Sequence, residues 1–129
     1  MKTKLILLAA LCLAACKKSD APKAKVNQTL VVAVTGVTSG KSFDINISDL
    51  TNYNSSTAPV PFFSVSNVTS NQTYNVNVYS GEHIGYVVNF NGNYGNVPGG
   101  ITSTLTVNGN VLLTTPSNES SGGHMVTIP

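Results

Sequence analysis

The chain contains no tryptophan and no arginine, and only two of its 129 residues are cysteine. Charged residues of either sign make up 9%, against about 25% in an average soluble domain. Each shortage excludes something. Lys41 is the only cation beyond residue 25. The body of the chain therefore has no basic patch with which to neutralise phosphates, and nucleic acid is excluded as a partner. Beyond Cys16 there is no cysteine, so that region has neither an internal disulfide nor thiolate ligands for zinc. No apolar run reaches the ~20 residues that a spanning helix needs. Hydrophobic residues still make up 41%, too many for a disordered chain. A folded core is expected, and residues 16–129 are enough for one domain and too few for two.

The formal charge of +2 averages unlike regions. Lys2 and Lys4 open the chain, and Lys17, Lys18, Lys23 and Lys25 face only Asp20. From Val26 onward Lys41 stands against Asp44, Asp49, Glu82 and Glu119, so the body is acidic by about three units. The positive character belongs to the first 25 residues.

Those residues have the three parts of a secretion signal. Lys2 and Lys4 are the basic start, the run from Leu5 to Cys12 is the apolar centre, and Ala14 and Ala15 are the small residues before a cut. Leu13-Ala14-Ala15-Cys16 resembles the lipobox of bacterial lipoproteins. The resemblance covers about sixteen residues. It implies a diacylglyceryl group on the Cys16 sulfur, cleavage before Cys16 and an N-acyl chain on the freed amine. It implies no other cofactor. Two or three acyl chains hold a protein to a membrane durably where one does not. Lys17 follows Cys16 in place of the Asp that favours inner-membrane retention in enterobacteria, which implies outer-membrane sorting. The start Cys-Lys-Lys-Ser-Asp is similar to that of many Bacteroidota lipoproteins, and it leaves open whether the periplasmic or the surface face is occupied. The expected organisation is a signal peptide over 1–15, a lipidated Cys16 with a flexible tether over 16–27, and one domain over 28–129.

From Gln28 the pattern alternates with period two. Phe43, Ile45 and Ile47 alternate with Asp44, Asn46 and Ser48, and Tyr74, Val76 and Val78 with Asn75, Asn77 and Tyr79. This is how strands with one wet face read. Strands are expected near 28–35, 41–48, 60–66, 72–79, 84–90, 101–107, 110–115 and 124–128. Asn108-Gly109 is a two-residue hairpin signal, and Ser80-Gly81-Glu82-His83 reads as a glycine-containing hairpin turn. The expected fold is all-β, an antiparallel two-sheet sandwich of seven or eight short strands. A small closed barrel is the alternative. Val34–Ile47 echoes Val65–Val78 at an offset of 31 residues, either as a duplication or as two solutions to one turn problem. Val68–Val78 also resembles the turn-into-strand segment of immunoglobulin-like and fibronectin type III domains, which implies a sandwich. The tryptophan usual in that family is missing.

Candidates for chemistry are few. His83 and His124, with Glu82 as the neighbouring carboxylate, are the residues from which a metal site or a small envelope hydrolase would be built. The chain has no Gly-x-Ser-x-Gly elbow and no phosphate loop. No catalytic or metal-binding set is expected. Tyr53 and Tyr94 fall in Asn- and Gly-rich loops and Tyr79 on the wet side of its strand. Aromatic rings beside amides hold sugars and peptides, so these three are the binding candidates. Of Phe62 and Phe63, one is expected in the core and the other at an edge or a partner. The expected function is a lipid-anchored, non-catalytic envelope module, adhering to a glycan or a protein. The expected partners are the membrane, through the anchor, and an envelope protein or glycan.

Overall fold

The computed structural model describes residues 24–91, 100–115 and 121–129. They form eight strands: β1 (Asn27–Thr35), β2 (Ser42–Asp49), β3 (Pro61–Val68), β4 (Gln72–Tyr79), β5 (His83–Asn91), β6 (Thr102–Val107), β7 (Asn110–Thr115) and β8 (Ser121–Thr127). One sheet has the order β4-β1-β6-β7 and the other β3-β2-β5-β8. Every pairing is antiparallel. No described ladder joins the two sheets, so the fold is a sandwich and not a barrel. Its strand order differs from the ABED and CFG sheets of antibody constant domains.

The expected alternation decides which side chains go inside. Leu30, Val32 and Val34 of β1 share one buried core with Phe43, Ile45 and Ile47 of β2, and Tyr86, Val88 and Leu105 are among its other fully buried residues. Tyr86 crosses the core and its hydroxyl bonds that of Ser103 on the opposite sheet. Burial pushes the Tyr86 phenol up to about 12. At the β3/β4 side, Phe63 meets Tyr74 edge to face at 5.3 Å, linking the two sheets. Phe63 is the core member of its pair and Phe62 is 46% exposed.

Consecutive strands run in alternate directions. The chain therefore has a near end, where β1 begins and β8 finishes, and a far end. The near end holds the connections 50–60, 80–82 and 108–109, and the far end holds 36–41 and 69–71. Asn108 and Gly109 both have positive φ, 50° and 78°, as a type I′ hairpin requires. The turn at 80–82 is not a hairpin, because β4 and β5 lie in different sheets. It is tied instead to the residue before β1 and the residue after β8. Ser80 N–H donates to the Val26 carbonyl at 2.9 Å, Gly81 N–H to Ile128 at 2.8 Å, and Ile128 N–H to Glu82 at 2.9 Å.

The two echoing segments have one job. Val34–Ile47 carries the chain from the first sheet to the second, and Val65–Val78 carries it back. Gly36 and Asn67, which stand 31 residues apart, both have left-handed backbones with φ of 80° and 53°. Val37 and Val68, next in each copy, both pack against the core.

Candidate functional site

The strands of the first sheet carry no formal charge at all: β1 is NQTLVVAVT, β4 QTYNVNVY, β6 TSTLTV and β7 NVLLTT. With Val76 and Val78 committed to the core, the alternate residues Thr73, Asn75, Asn77 and Tyr79 form an outward row on the β4 edge. The register extends it sideways. Asn77 lies opposite Thr29, Asn75 opposite Val31, and Thr73 opposite Ala33. Val31 in turn faces Thr106, and Ala33 faces Thr104. Hydroxyl, amide and methyl groups thus repeat about 4.8 Å apart across the strands and about 7 Å along them.

At the near end this face runs into a cleft of about 260 Å³ lined by Asp49, Phe62, Asn77, Tyr79 and Glu82. Asp49 ends β2, Phe62 is the second residue of β3, and Tyr79 ends β4, so two sheet edges meet there. Each carboxylate is held. Asp49 Oδ1 accepts the Thr51 N–H at 2.8 Å, and this bond with the Thr51 hydroxyl keeps its carboxyl below the usual range. Glu82 Oε2 accepts the Tyr79 N–H at 2.9 Å, while Lys25 Nζ lies 3.6 Å from Oε1. Two aromatic rings, an amide and two acceptors around one small cavity suit a ligand rich in hydroxyl or amide groups.

A second depression, of about 270 Å³, lies on the other sheet and is apolar, with Leu50, Pro59, Val87 and Met125 around it. Gly85 makes room there for Leu50. A Cβ on Gly85 would stand 2.9 Å from the Leu50 Cδ1.

The sequence candidates separate. Tyr79 lines the cleft, and Tyr53, 53% exposed, stands in the 50–60 connection at the same end. Tyr94 and Cys16 lie outside the described residues, as does Glu119. The histidines are not brought together. His83 pairs with Thr127 and Tyr86 with His124. Cross-strand partners share a face and successive residues along a strand switch it. His124 therefore has the inward parity of Tyr86, and His83 the outward one, where its Nδ1 lies 2.9 Å from the Thr127 hydroxyl. Among the described residues no group of three or more His, Cys, Asp or Glu is placed to hold a metal ion. Nor is any helix there long and apolar enough to cross a membrane.

Asp49, Phe62 and Asn77 come together from three strands, and no local pattern links them. The signal available was partial: two successive phenylalanines in an alternating strand must put one ring outside.

No protein-family model matches this chain, and neither a curated protein nor a solved structure matches it.

Proposed function

We propose that the chain is a lipid-anchored protein of the bacterial outer membrane, whose sandwich is a non-catalytic module that binds a neutral glycan or an envelope protein. The anchor is the acylated Cys16, and the reading rests there on Leu13-Ala14-Ala15-Cys16. The observation that carries the binding reading is the β4 row. Asn75, Asn77 and Tyr79 lead along an uncharged sheet into the cleft shared with Phe62. A charge-free, hydroxyl- and amide-rich surface discriminates by hydrogen-bond geometry and ring contact, which suits a neutral polymer better than an ionic ligand. The metal-site or hydrolase alternative draws no support from the histidines, since they face opposite sides of the β5–β8 pair.

Two experiments test the two halves. Cys16→Ser should abolish incorporation of radiolabelled palmitate, and labelling that survives rejects the anchor. Tyr79→Ala with Asn77→Ala should lower retention on envelope polysaccharide or envelope protein fractions about tenfold or more, equivalent to ~1.4 kcal/mol. Unchanged retention on every fraction that binds the parent chain rejects this face as the site. Protease added to whole cells decides the membrane face. Cleavage only after lysis means the module works in the periplasm.

A further inference from the structure

Eight described apolar or aromatic side chains are prominently exposed: Val26, Tyr53, Val60, Phe62, Tyr79, Val87, Val111 and Met125. Their distribution is one-sided. Val26 precedes β1, and Tyr53 and Val60 lie in the 50–60 connection. Phe62 is second in β3, Tyr79 closes β4, Val111 follows the 108–109 turn, and Met125 lies two residues from the end of β8. All seven belong to the near end, and Val87 sits midway along β5. Among the described residues of the far-end turns none is of this kind. Thr38, Ser39, Lys41, Ser70 and Asn71 are there, and Val37 is packed against the core. Pro59, which precedes Val60, lines the same depression as Met125, so Val60 at 82% exposure and Met125 at 73% lie about one apolar surface.

That end is also the one from which the tether leaves. On the reading that Cys16 is acylated, Cys16 and Ala24 are eight residues apart, a span of about 28 Å when fully extended. A strand of eight or nine residues adds roughly as much again. The anchor therefore holds the apolar end at a higher local concentration against the lipid than the far end.

We infer that the near end of the sandwich docks on the bilayer interface, with Val60, Tyr53 and Val26 entering the headgroup layer while the acyl chains hold Cys16. The chemistry fits a zwitterionic interface. Valine supplies apolar area, and tyrosine suits the boundary between hydrocarbon and water. Glu82 is matched by Lys25 and Asp49 remains anionic, so the docked end offers no net attraction to anionic headgroups. The uncharged face of β4-β1-β6-β7 then stands upright on the membrane with its side free. This inference rests on the anchor reading but is tested separately from it.

The absence of tryptophan makes the test clean, because one introduced tryptophan is the only indole. The mature lipidated chain carrying Val60→Trp, or separately Thr38→Trp at the far end, is reconstituted in phosphatidylcholine vesicles with brominated acyl chains. Strong quenching of the residue-60 indole, with none at residue 38, is the expected result. Equal quenching at both sites, weak or strong, overturns the inference. The unlipidated chain of residues 17–129, which contains all eight strands, should partition weakly into phosphatidylcholine vesicles whatever the salt. Val60→Asp with Val26→Asp should lower that partition about tenfold, and an unchanged partition overturns the inference. Mass measurement of Cys16 in the lipidated preparation separates the two readings. A bare Cys16 rejects the anchor, and the partition of residues 17–129 still decides the docking.

Discussion

The two ends of this sandwich are built on different principles. The far end is made by close approach. Gly36 lies so near Gly100 that a Cβ there would stand 1.8 Å from the Gly100 carbonyl oxygen. Side chains supply the missing acceptors: Val37 N–H donates to Asn71 Oδ1 at 2.8 Å, and Asn67 N–H to Asp44 Oδ1 at 2.6 Å. The near end is made by backbone pairing between segments distant in sequence, Val26 with Ser80, Gly81 with Ile128, and Leu50 with His83. Polar side chains add to it, Asp49 accepting from Thr51 N–H, Glu82 from Tyr79 N–H and Thr51 from His83 N–H, and the exposed apolar ones are left to point outward. The difference teaches that the apolar exposure of the near end is not looseness. The main chain beneath it is hydrogen-bonded, so the exposed rings and methyls belong to a formed surface.

The contrast breaks most sharply at two glycines with the same backbone. Gly36 and Gly81 both have φ of 80°, but an added Cβ at Gly81 meets nothing within 4 Å. Gly36→Ala should cost about 3 kcal/mol or more, from the clash together with the left-handed strain. Gly81→Ala should cost about 1 kcal/mol, from the strain alone. In thermal unfolding each kcal/mol is worth about 4–8 °C for a domain of this size. Equal losses at the two sites would erase the distinction between the ends.

The acids sharpen it further. Asp44→Ala removes the acceptor of Asn67 N–H and of the Asn91 amide, and should cost about 1 kcal/mol in urea unfolding. Asp49, at the near end, titrates below its ordinary value because Thr51 donates to it. A depressed carboxyl contributes stability that is complete above its unfolded value and is lost as the pH falls through the folded one. Acid titration of stability below about pH 4 should therefore show a small extra loss that Asp49→Asn removes. Asp49 is exposed, so this is the lesser of the two acid effects. The smallest change is expected at Val60→Asp. It should leave stability within about 0.5 kcal/mol, as surface substitutions do, while altering contact with lipid.

Much of the fold was readable in the chain because period two is a local property. Each of the eight expected strands overlaps an observed one, and Asn108-Gly109 has the geometry its residues demand. The assignment of strands to sheets was not readable. Ser80-Gly81-Glu82-His83 has hairpin composition, yet it crosses between sheets because its partners, Val26 and Ile128, are far away in sequence. The echo pointed at the right equivalence, since Gly36 and Asn67 share a backbone conformation that few residues tolerate. Of the aromatic candidates, Tyr79 was placed by its parity. The company it keeps, Asp49 and Phe62, depends on two sheet edges meeting, which no single strand encodes.

The place of β1 has a mechanical consequence. The segment that precedes Asn27 leads into a strand lying between β4 and β6, with eight partners on one ladder and six on the other. A pull on that segment loads β1 along its own axis. Both ladders must then slide in shear, their bonds bearing the force together, whereas an edge strand would peel one bond at a time. A ligand held on the β4 row passes its load to β1 through the neighbouring ladder without crossing the core. The sheet is thus arranged to carry tension between its outer face and the segment that precedes Asn27.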